Sequence, residues 1–463
     1  MQLAKVIPMY KAKAKDAFSN YRPISLLPTL SKILEKVIHK RVYYFLMNNA
    51  ILCNNQYGFR KKHSTIDAIA KFVTDTTMSL DAKDSVLSVF LDLSKAFDTI
   101  NHNILLQKLH FYGIRGKALD WFRSYLSNRK QFVFYNGHSS IADMVECGVP
   151  QGSVLGPLLF IIYTNDLPNS INNANTILFA DDTTVYYANK SIAALYEIMS
   201  QELSCLSDWF RANKLSLNVS KTNYILFSNT DSKLSYLPEI TLANQVISKA
   251  ESVKFLGVHI DEKLKWNIHI NIVKQRISRS FFAINKAKHV MNKKHISTLY
   301  YSLVYPYLTY GIILWGSAYD TYLSKLIITQ KKIIRAITYA PYNAHSEPLF
   351  KLLNILKLPD LYKLYASKYM FSVISNSLPC PLLNIFTLAQ DTHGHNTRHS
   401  KTLKLKVKTT RTMVATKSIL NMGPLIWNSV SPILYFNSDQ THLVSAKTFS
   451  SRLRRAALQE YRN

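Results

Sequence analysis

The chain has 463 residues, of which 48% are hydrophobic and 12% aromatic; this composition excludes a disordered chain and predicts two or more domains with sizeable cores. Its 57 lysines and arginines outnumber its 28 aspartates and glutamates, which gives a net charge of +29 spread along the chain. That excess favours a polyanionic partner such as nucleic acid, the alternatives being a basic protein kept soluble by its charge or one that binds acidic membrane. Four widely spaced cysteines match no zinc pattern and predict ordinary thiols in a reducing compartment.

The first elements alternate between helices and strands. Apolar residues at helical spacing predict a helix over Thr29 to Asn48, and Ser64 or Thr65 is expected to cap a second helix through Ser79. Ser85 to Leu91 is nearly all apolar, as in a central strand covered on both faces, and it ends on Asp92. Further patterns predict helices over 101–112 and 117–127 and paired strands over 130–135 and 141–147.

A glycine-rich stretch precedes an acidic one. Gly148 to Pro157 contains three glycines and two prolines and leads into an apolar helix predicted over Leu158 to Asn165. Thr176 to Tyr187 then reads as a β-hairpin with Asp181 and Asp182 at its tip. Adjacent carboxylates repel and persist most easily where cations neutralise them, although a turn whose aspartates bond their own backbone is the simpler explanation of the pair alone.

The remaining chain is mostly helical. A helix is predicted over Ser191 to Asn213, short strands over 215–218, 223–227, 240–242 and 253–260, and helices over 268–291, 296–315 and 323–339. Ile296 to Ala318 has no formal charge, but its five tyrosines, Pro306 and Gly311 predict packed, kinked helices in a soluble domain rather than a membrane span. Residues 376–402 are predicted to be a linker, and 403–463 is a basic, weakly patterned region.

The acidic residues form a candidate metal site. If the strand ending at Asp92 and the hairpin carrying Asp181 and Asp182 lie side by side in one sheet, three carboxylates face one point. Carboxylate oxygens suit hard cations such as Mg²⁺, and two such ions can stabilise the attacking and leaving oxygens of phosphoryl transfer.

Ordered motifs carry a family resemblance. Phe90-Leu-Asp-Leu-Ser-Lys-Ala-Phe-Asp98, Gly148-Val-Pro-Gln-Gly-Ser153 and Phe179-Ala-Asp-Asp-Thr183 resemble the successive A, B and C motifs of reverse transcriptases, in the style of non-LTR, jockey-like LINE retrotransposons. Other stretches resemble the same family's fingers, D and E motifs: Tyr21-Arg-Pro-Ile-Ser-Leu-Leu27, Asn55-Gln-Tyr-Gly-Phe-Arg60, Asn218-Val-Ser-Lys-Thr222 and Lys254-Phe-Leu-Gly-Val258.

The resemblance implies a fold and an activity. The fold would be an α+β right-hand polymerase, with fingers and palm over 1–265, a helical thumb-like region over 266–375, the linker, and a helical, basic C-terminal region. The activity would be RNA-directed DNA synthesis, a nucleotidyl transfer that uses two Mg²⁺ ions, or Mn²⁺ in their place. Its partners would be an RNA template, a DNA primer and dNTPs, with no membrane.

The resemblance also implies roles for individual residues. Asp92, Asp181 and Asp182 would hold the metal ions, and Phe97 would stand where the family's steric gate excludes a 2′-hydroxyl, with a plain core aromatic as the alternative. Gln151 and Gly152 would contact nucleotide and template; a helix-entry turn explains them equally well. Asp98 is expected to have a structural role at a turn or cap.

Several basic residues complete the implied site. Lys221 resembles the motif D lysine, which would protonate the departing pyrophosphate, and the alternative is a solvated strand-end lysine. Arg60 and Lys11 are candidates for triphosphate contact, or are simply exposed charges. Lys331, Lys332 and Arg335 are candidates for contact with the template and primer backbone, against the alternative of a solvated helix face.

The chain also departs from the family pattern. It begins inside the fingers, so the endonuclease domain that usually precedes such a polymerase is expected to be missing, as in a fragment or a decayed copy. The alternatives are therefore a catalytically inactive remnant that binds RNA or DNA without polymerising, and an intron-encoded maturase. The resemblance implies an intracellular protein, in nucleus or cytoplasm; the sequence by itself leaves both the location and the oligomeric state open.

Overall fold

A computed structural model describes residues 3–11, 14–229, 238–392, 403–430, 432–436 and 442–461. The chain forms two compact units. The first comprises Met1–His63, Leu87–Tyr224 and Lys233–Lys249, and the second comprises Ser64–Val86, Ile225–Ser232 and Ala250–Asn463.

The strands, in chain order, are β1 (Leu3–Tyr10), β2 (Tyr21–Leu26), β3 (Ser85–Leu91), β4 (Lys130–Tyr135), β5 (His138–Ser139), β6 (Asp143–Met144), β7 (Asn175–Phe179), β8 (Asp182–Asn189), β9 (Asn223–Phe227), β10 (Thr241–Leu242), β11 (Gln245–Val246), β12 (Ser248–Lys249), β13 (Ser252–Phe255) and β14 (Val258–Asp261).

The α-helices up to the thumb-like region are α1 (Thr29–Asn48), α2 (Thr65–Asp81), α3 (His102–Phe111), α4 (Lys117–Leu126), α5 (Gly156–Tyr163), α6 (Ile192–Ala212), α7 (Asn267–Ala287), α8 (Lys293–Leu303), α9 (Tyr305–Thr309), α10 (Ile312–Trp315) and α11 (Asp320–Thr338). They are followed by α12 (Ser346–Leu352), α13 (Leu358–Ile374), α14 (Cys380–Leu383), α15 (Met413–Lys417), α16 (Ile419–Ser429), α17 (Pro432–Tyr435) and α18 (Ala446–Gln459).

A five-stranded sheet, most of whose residues belong to the first unit, positions the acidic residues. Its strand order is β12-β9-β3-β8-β7, and β3 is buried along its whole length, as its apolar sequence predicts. β7 and β8 form the predicted antiparallel hairpin, in which Phe179 pairs with Asp182. α5, whose residues are apolar throughout, is buried in the core of this unit.

A second sheet in the first unit joins β1 to β2 and β4, with β5 and β6 both paired to β4. The sequence predicts one long partner for β4 over 141–147, and this prediction is wrong. β5 follows the Asn136-Gly137 turn and pairs with Phe134 and Tyr135, whereas β6 pairs with Lys130 and Gln131. The partner strand is thus split into two short pieces.

The second unit is largely helical. α2 begins with a capping box in which Ser64 and Asp67 satisfy each other's backbone N–H groups, close to the predicted start. α7 packs against α11, and α13 packs against α16 and α18. The aromatic rings of Phe371, Trp427 and Phe449 pack together at the α13, α16 and α18 contact.

The uncharged stretch before α11 is helical but interrupted. The stretch over Ile296 to Ala318 is broken into α8, α9 and α10, with Gly311 in a left-handed conformation at φ 63°, so the kinked-helix prediction is confirmed. Within the described residues, no helix is both long and apolar enough to cross a bilayer.

The structure also shows the secondary structure of the weakly patterned C-terminal region. The basic region after residue 402 contains α15 to α18 in its described part, so it is helical as predicted, and the helices and sheets together confirm the α+β class. Residues 393–402 of the predicted linker lie outside the described residues. The exact limits of the four predicted regions stay predictions.

Candidate active site

The acidic hairpin turns through two residues, Ala180 and Asp181. Ala180 has φ 55°, whereas Asp181 is not among the residues with positive φ; this is the pattern of a type II′ turn, which suits the twist of a hairpin. Asp182 is the first residue of β8. Because the turn is so short, the Asp181 carboxylate is held at the end of the hairpin.

Asp92 is fixed by its backbone and by its side chain. Its carbonyl oxygen accepts from the backbone N–H of Asn218 (2.8 Å), and Ser94 N–H donates to Ser216 carbonyl (2.9 Å). One carboxylate oxygen accepts from the Asn218 amide (2.8 Å) and from the Lys221 ammonium (3.3 Å). The segment that includes Asn218 and Lys221 therefore anchors the residue at the end of β3.

Asp92 and Asp181 line one cleft of about 1400 Å³ within the first unit. The other predicted residues that line it are Lys11, Phe97, Gln151, Gly152 and Lys221. The first and last of these seven, Lys11 and Lys221, are more than 200 residues apart in the sequence. The folded chain thus brings together most of the residues that the sequence singles out.

The acidic residues influence one another electrostatically. Partial burial, and then the negative charges of Asp181 and Asp92, raise the pKa of Asp182 to about 6, although part of its side chain remains exposed. A raised pKa means that the folded chain disfavours a third negative charge at this point. Because the charges of Asp181 and Asp92 contribute to the rise, a cation bound beside them would lower the pKa of Asp182.

The glycine-rich stretch is wrapped closely around the segment after β3. Gly148 has φ 84°, and a Cβ on it would lie 2.7 Å from the Asp98 carbonyl oxygen. Gly152 has φ 117°, and a Cβ there would lie 2.6 Å from the Ser25 carbonyl oxygen. Both glycines are therefore required by conformation and by space.

Gln151 contacts Asp98 directly. The side-chain amide of Gln151 donates to both carboxylate oxygens of Asp98, at 2.9 and 3.0 Å. Burial raises the pKa of Asp98, and the hydrogen bond from Gln151 opposes that rise. In this structure the Gln151 amide is engaged by a carboxylate, so its predicted contact with a nucleotide stays a prediction.

Phe97 lies at the cleft between two other aromatic rings. It stacks on Phe160 of α5 with ring centroids 4.6 Å apart, and its edge meets Phe59 at 6.2 Å. The ring is half-buried rather than fully enclosed. A rigid aromatic surface is thus presented to the cleft, and its role as a steric gate stays a prediction.

The predicted basic residues differ in their surroundings. Lys11 is exposed at the cleft, whereas Arg60 is buried and does not line it. The Arg60 guanidinium donates to the carbonyl oxygens of Cys53 (2.6 Å) and Gln56 (3.3 Å) in its own loop. This geometry gives Arg60 a loop-stabilising contact, and its role at a triphosphate stays a prediction.

Lys331, Lys332 and Arg335 lie on α11 in the second unit. Lys332 is exposed and the other two are half-buried. The Arg335 side chain donates to the Ala344 carbonyl oxygen at 2.8 Å. This bond connects α11 to the loop between α11 and α12. Their contact with a template and primer stays a prediction.

Two side chains near the cleft have positions for which the sequence predicts no role of their own, although Asn218 begins the motif D stretch. Asn218 holds the Asp92 carboxylate, and Glu35, which is 1% exposed, accepts from the backbone N–H groups of Val154 (2.6 Å) and Leu155 (3.3 Å). A carboxylate at the start of α5 complements the partial positive charge of a helix N-terminus. Glu35 lies on the buried face of α1. In the sequence, the one indication of a special role is that a single glutamate stands among apolar residues at helical spacing.

The donor set fits Mg²⁺ in part. Within the described residues, no group of three or more histidines, cysteines, aspartates and glutamates is arranged to hold a metal ion. Mg²⁺ needs only one or two carboxylates, however, since waters and substrate phosphates complete its shell. Asp92 and Asp181, which line the same cleft, meet that requirement, whereas the three-carboxylate cage does not form in this structure.

Comparisons with known proteins agree with this site. Residues 11–260, more than half of the chain, match the family described as reverse transcriptase (RNA-dependent DNA polymerase). The matched range includes all seven predicted residues that line the cleft. It also includes β3, which ends at Asp92, and the hairpin of β7 and β8.

Individual relatives point the same way. The chain is 29% identical over 388 residues to a probable RNA-directed DNA polymerase from transposon BS of Drosophila melanogaster, which covers 80% of this chain and 42% of the relative. It is also 29% identical over 388 residues to the RNA-directed DNA polymerase from the mobile element jockey of the same species, covering 81% and 42%. The chain thus spans about two fifths of the length of these relatives.

Among solved structures, apo telomerase from Candida tropicalis is similar over 78% of this chain and 63% of that one, at 11% sequence identity and a TM-score of 0.43. The family match itself covers both the acidic hairpin and the glycine-rich loop. The chain therefore belongs to the reverse transcriptase (RNA-dependent DNA polymerase) family.

Proposed function

We propose that this chain extends a DNA primer with dNTPs on an RNA template, as the reverse transcriptase of a non-LTR retrotransposon. The observation that carries the proposal is that Asp92 and Asp181, at the ends of neighbouring elements of one sheet, line the same cleft as Phe97 and Gly152. That cleft lies inside the unit that contains most of the family match.

Asp92 and Asp181 would hold Mg²⁺, or Mn²⁺ in its place, with Asp182 beside them. When bound, two such ions activate the attacking primer hydroxyl and neutralise charge on the departing pyrophosphate. Burial is the main cause of the raised pKa of Asp182, but the negative charges of Asp181 and Asp92 add to it, and that contribution supports the assignment because a nearby cation would offset it.

Other side chains of the cleft would orient the reactants. Phe97 would lie under the deoxyribose, and Gly152, which lines the cleft, would contact the nucleotide and the template. Lys221, whose ammonium is 3.3 Å from an Asp92 carboxylate oxygen, would deliver a proton to the leaving pyrophosphate. Lys11, exposed at the same cleft, would meet the triphosphate.

The partner would be held largely by charge. A net charge of +29 suits an RNA template and a DNA primer, because each neutralised phosphate releases counterions. We assign 1–265 to the fingers and palm and 266–375 to the thumb of a right-hand polymerase. Lys331, Lys332 and Arg335 would then contact the template and primer backbone.

The test is primer extension by the purified chain on a primed RNA template with dNTPs and Mg²⁺. The unmutated chain should extend the primer, and Asp181→Asn, which keeps the side-chain size but removes the charge, should lower the rate by at least about 1000-fold. Asp208→Asn is the matched control, since Asp208 is an exposed aspartate on α6 that does not line the cleft. Extension that survives Asp181→Asn would contradict the proposal.

The second candidate is a remnant that binds nucleic acid without polymerising. The net charge of +29 suits nucleic-acid binding alone as well as it suits polymerisation. The same preparation separates the two functions. Salt-sensitive RNA binding without extension by the unmutated chain would support the remnant.

A further inference from the structure

A short loop covers the outer edge of the strand that leads into the acidic hairpin. β7 is the last strand of its sheet, and Asn55 to Gly58 lies along it. Leu178 N–H donates to the Asn55 carbonyl oxygen (2.9 Å), and Tyr57 N–H donates to the Leu178 carbonyl oxygen (2.7 Å). These bonds form a one-residue parallel bridge between Gln56 and Leu178, so the loop follows β7 towards its end.

The Gln56 side chain extends this contact to the turn itself. It is 1% exposed, and its Oε1 accepts from the backbone N–H groups of Gly58 (2.8 Å) and Ala180 (3.1 Å). Ala180 is the turn residue with φ 55°, a conformation that side-chain-bearing residues rarely adopt without support. One oxygen atom thus joins the loop to the strained residue directly before Asp181.

The rest of the Gln56 amide indicates that its oxygen is the important atom. Within the described residues, Nε2 of Gln56 is buried and has no hydrogen-bond partner. A buried donor without a partner costs free energy, and reversing the amide would place its NH₂ group against two N–H donors. The observed orientation of the amide therefore keeps the two hydrogen bonds that Oε1 accepts and leaves Nε2 without a partner among the described residues.

Gly58 allows the loop to come this close. A Cβ on Gly58 would lie 2.3 Å from the Ala180 nitrogen and 3.0 Å from the Phe179 carbonyl carbon. Gly58 does not have a positive φ, so backbone conformation does not demand glycine there. The requirement is space, because any side chain would push the loop away from the turn.

We propose that Gln56 is a positioning residue that fixes the turn of the acidic hairpin, and through it the Asp181 carboxylate, with Gly58 giving the clearance. The effect of Gln56 on catalysis rests on the proposed function, whereas its positioning of the turn does not. Gln56 does not touch the cleft, so it acts through Ala180 rather than on a reactant.

Hydrogen exchange tests the positioning without any need for activity. In Gln56→Met the side chain keeps a similar size but loses the acceptor, and amide exchange in the hairpin peptide over 178–183 should become at least about tenfold faster. Gln56→Glu keeps an acceptor oxygen, and exchange there should stay within about threefold of the unmutated chain.

Gln330→Met is the matched control. Gln330 is also fully buried, and it bonds Tyr300 OH, the Leu356 carbonyl oxygen and Leu358 N–H in the second unit. Its substitution should lower overall stability while leaving hairpin exchange unchanged. If Gln56→Met left hairpin exchange unchanged, or accelerated all peptides equally, the positioning role would be overturned.

Primer extension gives the second readout. Gln56→Met should lower kcat by about 10- to 100-fold, with the KM for dNTP changed less than about threefold, because orientation rather than binding is lost. A rise in KM alone, with kcat unchanged, would contradict the proposal. If the unmutated chain extends no primer, the proposed function fails, whereas the exchange comparison still decides the positioning role.

Gly58→Ala is the independent variant if Gln56→Met does not fold. It leaves the Gln56 acceptor in place but displaces the loop, so hairpin exchange should accelerate as in Gln56→Met. Unchanged hairpin exchange in a folded Gly58→Ala chain would overturn the proposal.

Discussion

The ammonium of Lys221 lies 3.3 Å from a carboxylate oxygen of Asp92, and the same oxygen accepts the Asn218 amide at 2.8 Å. The side chains of the ion pair remain 58% and 39% exposed, so solvent weakens their attraction. Lys221 is therefore poorly explained as a stabilising partner of Asp92. Two roles stay predictions: a general acid at the cleft, and a solvated lysine at the end of a strand.

Replacing Lys221 by methionine separates these roles. We expect Lys221→Met to change the free energy of unfolding by less than about 1 kcal/mol, because an exposed pair contributes little. If Lys221 is the general acid, kcat should fall by about 100-fold or more. Urea unfolding and primer extension measure the two effects.

Lys190→Met is the control for Lys221→Met, because Lys190 is an exposed lysine just after β8 that does not line the cleft. It should leave kcat unchanged. Equal effects of the two substitutions would mean that Lys221 supplies only general positive charge.

The Gln151 amide stabilises the half-buried Asp98 carboxylate, so its removal should lower the free energy of unfolding. The pKa of Asp98 is already raised by burial, and the Gln151 hydrogen bond limits that rise. Gln151→Leu should therefore raise the pKa further and lower the free energy of unfolding at pH 7 by about 1–3 kcal/mol.

The effect of Gln151→Leu has a definite pH dependence. A group whose folded-state pKa lies above its unfolded value loses stability as the pH rises through the folded-state pKa. The destabilisation should thus shrink as the pH falls through and below the pKa of Asp98, because the carboxyl then becomes neutral. In an Asp98→Asn background, Gln151→Leu should cost less at pH 7, and an undiminished cost would show that the pair is not coupled.

Trimming Phe97 should relax sugar discrimination if the ring is a steric gate. Phe97→Val removes ring volume above Phe160, and incorporation of ribonucleotides relative to deoxyribonucleotides should rise by about 10- to 100-fold. Single-nucleotide extension with each triphosphate measures the ratio. Phe111→Val, at an 80% exposed ring on α3, should leave it unchanged; an unaltered ratio in an active Phe97→Val chain would assign Phe97 to packing alone.

His269 should make the second unit sensitive to acid. The ring is 5% exposed, Nδ1 accepts from His259 N–H at 3.3 Å, and burial followed by the nearby His259 lowers the pKa to about 4. Because the unfolded chain binds a proton near pH 6.5 and the folded chain does not, stability is full above that pH and is lost as the pH falls towards 4.

The expected loss for His269 is about 2 kcal/mol between pH 7 and pH 4.5. Urea unfolding at the two pH values measures it. His269→Phe should reduce this pH dependence by the same amount, since phenylalanine cannot be protonated. An equally steep dependence in His269→Phe would place the acid sensitivity elsewhere.

The sequence by itself determined the local elements and the residues worth examining. Asp92 follows a strand that is apolar throughout, and Asp181 and Asp182 interrupt an apolar hairpin; such patterns depend on neighbours in the chain. α1 and β3 have the predicted bounds for the same reason. The order of the motifs also indicates the family, because it is a property of the sequence alone.

Only the tertiary structure decided which side chains meet. The contacts between Glu35 and Val154, Gln56 and Ala180, and Lys221 and Asp92 join residues 119, 124 and 129 positions apart. No local pattern specifies such pairs, because they depend on where the chain returns after intervening elements have packed. The same reason explains Arg60, which the sequence offers as a triphosphate contact or an exposed charge and which the fold buries against carbonyl oxygens.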